Sequence, residues 1–285
     1  MEPGKIITFY SYKGGTGRTM ALANIACLLA ERDDCKRGIL MIDWDLEAPG
    51  LHRFFVPQKY SPSDNVREDQ FPGLIDLWLE LKEALEKTEG KTVRKSKQQV
   101  QDEIRRINIR QYSRQISLDS LSNDNKYRKL FLMRAGQFSP EYSGKVSRFP
   151  WEDLFRISPW VYSAFAEELM DLFDYILIDS RTGITDTSGI CTMIMPEKLV
   201  VVFTPNSQSL TGVPDLISRA VNYRKVSDDL RPLVVYPLPS RIENSEEALK
   251  NVWRFGNQDE GIQGYQNQFE KLFKSTYDLE NPNLS

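Results

Sequence analysis

The sequence has little of what several chemistries require. Among 285 residues there is one histidine, His52, and three cysteines, Cys27, Cys35 and Cys191. A single histidine argues against a histidine-built metal centre and against a Ser-His-Asp triad, and His52 reads as a surface or cleft residue. The cysteines are odd in number and lack a metal-like spacing, which fits a reducing, cytoplasmic compartment and ordinary packing roles. No apolar run approaches the roughly 18–20 residues that span a bilayer. The first residues, Met1 to Lys5, lack the charged-then-apolar layout of a signal peptide. An excess of one charge is missing too: 37 basic residues face 40 acidic ones, a net charge of -3. Nucleic-acid binding would therefore need a local basic patch. No internal repeat or low-complexity tract stands out. The 40% hydrophobic and 27% charged residues are ordinary for a globular protein.

What is present is an alternation of strands and helices. Ile6 to Tyr10 is a short β-branched and aromatic run that reads as a buried strand. A glycine-rich stretch follows, and then Met20 to Ala30 has the composition of a helix packed on a sheet. Gly38 to Ile42 reads as a second buried strand, running into the loop Asp43 to Gly50. Strand, helix and strand in this order predict a right-handed βαβ unit and a parallel sheet. Further strands are expected at Tyr175–Ile178, Leu199–Phe203 and Leu233–Tyr236, with a helix from Trp160 to Phe173. The fold class expected is α/β, a mostly parallel sheet flanked by helices, in one domain of residues 1–285. Residues 56–150 read as a mainly helical, partly basic insertion within it. In that insertion Leu74, Leu77, Trp78, Leu81 and Leu85 share a helical face. Lys129–Met133 reads as a strand, and Leu118–Asn125 as a polar turn.

Lys13 to Thr19 (KGGTGRT) lies between a predicted strand and a predicted helix. Its glycines Gly14, Gly15 and Gly17 let the backbone turn tightly and point its N–H groups inward, and the next helix adds the positive end of its dipole. With Thr16, Arg18 and Met20 this makes a candidate phosphate nest, and Thr19 stands where a P-loop hydroxyl ligates Mg²⁺. Two departures mark the loop. Position 12 is tyrosine where the usual pattern has glycine. Position 18 is arginine where it has lysine, which keeps the charge but changes its shape.

In open α/β sheets the ligand crevice lies at the carboxyl ends of the strands. Asp43 and Asp45 follow one predicted strand and Asp179 another. Asp179 fits a Walker B acid that holds Mg²⁺ through water, Asp43 fits a share in that task, and Asp45 fits a residue orienting the attacking water. Ser180 to Gly183 resembles a switch loop for a γ-phosphate. Arg181 reads equally well as a plain surface charge.

The segments Lys13–Thr19, Ile39–Asp45 and Asp174–Asp179 resemble the deviant Walker A ATPases of the ParA/MinD type, over roughly residues 1–55 and 165–245. The resemblance implies ATP as nucleotide, with Mg²⁺, and a homodimer that sandwiches two ATP molecules. It implies that Lys13 reaches the partner's phosphates, that Asp45 positions water, and that hydrolysis is slow and stimulated by a partner. It places the adenine at the loop near Pro237–Glu243, with Arg241 as a contact. The wording of Tyr10–Thr19, Asp43–Gly50 and Ile178–Gly183 resembles more closely a bacterial subgroup of regulatory ATPases placed beside effector domains in defence systems. Lys13, Arg18 and Asp45 are thus the candidate catalytic residues, and an unidentified protein partner is implied.

Other readings remain open. The basic stretch Lys91 to Arg114 raises a DNA-binding positioning ATPase. Tyr265, Phe269, Leu272 and Phe273 fall at helical spacing, but nearby acids dilute the basic face of a membrane-binding helix, so core packing is expected and no membrane. Some bacterial tyrosine kinases share this P-loop plan, but the C-terminus has no tyrosine cluster. A nucleotide binder that does not hydrolyse is the remaining alternative, since Arg18 departs from the family's lysine.

Overall fold

A computed structural model describes residues 2–55, 71–87, 94–116, 129–183, 185–229, 231–242 and 246–277. The polar turn at 118–125, Lys91, Glu243 and the last residues, 278–285, lie outside them. The chain divides into two compact units, one of residues 1–8 and 19–181, the other of 9–18 and 182–285. Strand β1 (Lys5–Tyr10) and helix α1 (Arg18–Ala30) each have residues in both.

In the first unit, β2 (Ile39–Asp43) is buried along its whole length. That is the pattern of a parallel strand covered on both faces. The insertion supplies α2 (Leu74–Lys87), α3 (Lys97–Arg106), the short β3 (Arg114–Gln115), β4 (Leu130–Met133) and α4 (Tyr142–Arg148). Helices α5 (Trp151–Ile157) and α6 (Val161–Leu172) lead into β5 (Tyr175–Asp179). Strand β2 pairs in parallel with β4 on one side and β5 on the other, while β3 runs antiparallel to β4. The insertion therefore contributes strands to the sheet as well as helices.

The apolar face expected on α2 is buried, and Trp78 anchors an aromatic cluster. Its ring lies 4.8 Å from Phe165, 5.2 Å from Tyr162 and 5.9 Å from Trp44. Helix α2 begins without a side-chain cap of the common kind. Its first amides, Leu74 and Ile75, donate to the Arg134 and Ala135 carbonyls just after β4. This satisfies donors that every helix start leaves open.

The second unit contains α7 (Asp186–Gly189), continued as a π-helical turn at Ile190–Ile194, then β6 (Lys198–Phe203), α8 (Ser207–Leu210), α9 (Val213–Val226) and β7 (Val234–Pro239). Helix α10 (Glu247–Phe255), a small hairpin of β8 (Gly256–Asn257) and β9 (Ile262–Gln263), and α11 (Tyr265–Tyr277) complete it. The seven sheet strands follow the order β3-β4-β2-β5-β1-β6-β7.

Strand β7 is three residues longer at its end than the sequence predicts, and it contains Pro237 and Pro239. Val234 N donates to Glu197 O and Ser240 N to Phe203 O, so the even positions turn their amides to β6. The odd positions face the side on which no further strand pairs among the described residues, where proline's missing N–H costs no ladder bond.

The stripe on α11 is core. Phe269 and Phe273 are buried with Leu199, Val201, Phe203 and Leu216, and Tyr265 and Leu272 pack against the same cluster. Phe269 lies 5.1 Å from Phe203. Phe269→Ala should lower stability to denaturant by about 3–5 kcal/mol. An unchanged midpoint in a urea titration would contradict this packing.

Candidate functional site

The phosphate loop belongs to the second unit up to Arg18. Gly15 and Gly17 both take left-handed backbone, with φ of 75° and 83°. A side chain there would be strained, so the two glycines are what allow this turn. A methyl group added at Gly14 or Gly15 would meet no atom within 4 Å. Lys13, Gly14 and Gly15 are exposed, whereas Ser11, Thr16 and Arg18 are buried. Ser11 Oγ and Thr16 Oγ1 are buried with no hydrogen-bond partner among the described residues. Such groups are costly unless a ligand or ordered water satisfies them. This donor set fits a polyphosphate. Thr19 is half-buried and Met20 is 53% exposed.

The tyrosine at position 12 has a steric counterpart. A Cβ at Gly212 would lie 2.0 Å from the Tyr12 ring, so Gly212 is what makes room for it. The Lys13 ammonium lies 5.4 Å from the same ring, a cation–π contact that holds the exposed amine near the loop. Ser240 Oγ donates to Thr16 O at 2.6 Å and to Phe203 O at 3.2 Å. The segment after β7 is therefore pinned to the phosphate loop by Ser240, a residue that sequence reasoning missed. Its only signal was its place immediately after a late strand. The loop expected at Pro237 begins at Ser240, because Pro237 to Pro239 are strand. Arg241 follows, exposed, with a φ of 54° that is uncommon outside glycine.

The acids belong to the first unit. Asp43 and Asp179 are register partners at the ends of β2 and β5, and both are buried. Trp44 N donates to Asp179 O at 3.0 Å, which extends the pairing one residue further. Asp43 Oδ2 accepts the amides of Gly50 and Leu51, each at 3.0 Å, so this oxygen caps the following turn. Oδ1 is buried with no hydrogen-bond partner among the described residues. One carboxylate oxygen therefore serves the fold, and the other makes no hydrogen bond among the described residues. Burial, then the Asp179 charge, pushes the Asp43 pKa up to about 7, against the pull of the two amides. Two neighbouring carboxylates of this kind have the chemistry to share a divalent cation. Among the described residues there is no group of three or more His, Cys, Asp or Glu side chains suited to a metal. A P-loop magnesium does not need one, because phosphates and waters fill most of its shell.

Trp44 is buried among Trp78, Trp151 and Phe165. Asp45 beyond it is half-buried. Arg181, just after β5, forms an ion pair with Glu47 of the same acidic loop. This partly exposed pair fits either reading of Arg181.

The basic stretch is largely engaged within the chain. Lys97 pairs with Glu167, Arg105 with Glu168 and Arg106 with Glu103. Arg110 stacks 4.9 Å from the Phe173 ring, and Arg114 lies 5.1 Å from that of Phe71. A nucleic-acid backbone would have to compete with these contacts.

The class these elements define is the α/β P-loop NTPase fold: a mostly parallel seven-stranded sheet with a glycine loop between β1 and α1. No family model and no curated protein sequence matches the chain. Solved structures do share the fold. Apo McdA of Cyanothece is 18% identical with a TM-score of 0.51, over 82% of this chain and 71% of that one. An ATP complex of a Cyanothece McdA variant is 16% identical with a TM-score of 0.50, over 99% and 100%. A plasmid partition protein of Borrelia burgdorferi is 15% identical with a TM-score of 0.51, over 97% and 99%. At these identities the likeness is one of fold.

The buried acid pair predicts a pH dependence. Folding raises the Asp43 pKa from its ordinary 3.8. Between roughly pH 4 and 7 the native state therefore holds a proton that the unfolded chain releases, and stability falls as pH climbs through that window. Without nucleotide or metal, Asp43→Asn should gain thermal midpoint relative to the wild type on going from pH 5 to pH 8. A gap that does not change with pH would contradict the assignment.

Proposed function

We propose that the chain is an ATPase switch of the ParA/MinD type, which binds ATP with Mg²⁺, dimerises on it and hydrolyses it slowly. The observation that carries this reading is the phosphate loop, with its two left-handed glycines and its buried, unpaired Ser11 and Thr16 hydroxyls. The in-register acids Asp43 and Asp179 support it. In this reading the amides of Gly14 to Thr19 and the Arg18 guanidinium hold the phosphates. The Thr19 hydroxyl, Asp43 and Asp179 hold the magnesium, which when bound neutralises charge on the phosphates. Asp45 orients the attacking water. Lys13, exposed on the loop, serves the phosphates of a second copy, and Arg241 serves the base.

The resemblance to regulatory ATPases beside effector domains makes a cytoplasmic protein partner, in a defence system, the object of the switch. A nucleotide binder that does not hydrolyse is the second reading, favoured by the burial of Arg18 where the family has lysine.

Molar mass by light scattering tests the switch. Mg-ATP should double the mass seen with Mg-ADP, and Asp45→Ala should hold the doubled state by slowing phosphate release. Mass indifferent to nucleotide removes the dimer and the cross-subunit role of Lys13. Arg18→Lys should keep ATP binding and release phosphate at least as fast as the wild type; release in neither protein selects the second reading.

A further inference from the structure

The acidic loop after β2 carries Asp45, and one of its holds comes from the insertion. Tyr142, at the start of α4, donates its hydroxyl to the carbonyl of Leu46, the residue next to Asp45, at 2.7 Å. Leu46 is itself buried. The Tyr142 ring is fixed in turn. Phe138 meets it edge-on at 5.0 Å with the planes at 90°. A Cβ at Gly136 would come within 2.9 Å of Tyr142 Cε2, so the backbone there closes tightly on the ring.

This segment is bolted to α2. Asp76 accepts the amides of Gly73 and Gln137 through Oδ2, and the Lys145 ammonium through Oδ1. The chain of contacts therefore runs from the first turn of α2, through residues 134–145, to the Leu46 carbonyl. The proximity of Tyr142 to the acids is also electrostatic. Burial, then the charges of Asp43, Asp76 and Asp45, raise the phenol's pKa, so it stays protonated and can only donate to the carbonyl at neutral pH.

From this geometry we infer that Tyr142 is a positioning residue, through which the insertion sets Asp45 for hydrolysis. The inference rests on the proposed role of Asp45 in orienting water. Among the described residues the loop is held by Asp43 to the Gly50 and Leu51 amides, by Trp44 N to the Asp179 carbonyl, by Glu47 to Arg181 and by Leu46 to Tyr142. Of these hydrogen bonds and ion pairs, the Tyr142 bond is the one that originates in the insertion. A partner that moves α4 would change the placement of Asp45 without touching the phosphate loop, which makes the insertion a place from which turnover can be controlled.

Tyr142→Phe in the full chain tests this by removing the donor and keeping the ring. Affinity for ATP, measured by fluorescence of a labelled analogue, should stay within about twofold while kcat falls about tenfold, because a small misplacement of a reacting group costs rate and not binding. In an Asp45→Ala background the same change should cost nothing further, since Tyr142 acts through Asp45. Amide hydrogen exchange across residues 44–51 should quicken. Unchanged kcat, losses that multiply across the two variants, or unchanged exchange would each overturn the inference. If the wild type releases no phosphate, the proposed function falls and exchange alone judges the contact: quickened exchange sustains the hold on the loop, and unchanged exchange removes it.

Discussion

Two carboxylates, Asp43 and Asp179, end neighbouring parallel strands in register and lie out of water. Like charges so placed repel, and burial penalises each of them. A protein that keeps such a pair must compensate for it, and the compensation seen is partial. Two amides satisfy one oxygen of Asp43, and the other has no hydrogen bond among the described residues. A magnesium ion would convert that repulsion into coordination. The register of β2 with β5 brings the two acids together, and burial, then the Asp179 charge, raises the Asp43 pKa.

Much of the scaffold is legible in the sequence, for a physical reason. Strands β2 and β5 are covered on both faces, so their sequences are short continuous apolar runs that end in aspartate. Helix α2 is covered on one face, so its leucines and Trp78 recur at helical spacing. The phosphate loop is legible because left-handed backbone at positions 15 and 17 selects glycine. Other features are not legible because their cause is distant in sequence. Tyr12 makes sense only beside Gly212, and Ser240 only beside Thr16. Prolines 237 and 239 ordinarily argue against a strand, and they are tolerated because β7 is the last strand of the sheet among the described residues. The basic residues from Arg94 to Arg114 read as a patch in one dimension. In the fold their partners Glu167 and Glu168 come from α6, some sixty to seventy residues away.

The insertion is where sequence patterns run out and the fold adds most. It supplies β4 to the sheet, covers Trp44 with Trp78, and places Tyr142 at the Leu46 carbonyl. These contacts make it part of the support for the acidic loop, and not a passive outgrowth. Loops that carry chemistry work when their supports leave them few alternatives. Here the support among the described residues includes backbone amides, the Arg181–Glu47 ion pair, the Tyr142 phenol and the packing of Trp78 on Trp44.

The reading proposed for residues 13–19 is a site for an adenine nucleotide bound with magnesium. Calorimetric titration of the wild-type chain with ATP, in magnesium and again in chelator, tests it most directly. Saturable ATP binding that weakens sharply when magnesium is removed is the expected result. Absence of binding in both conditions, or binding indifferent to magnesium, would contradict it.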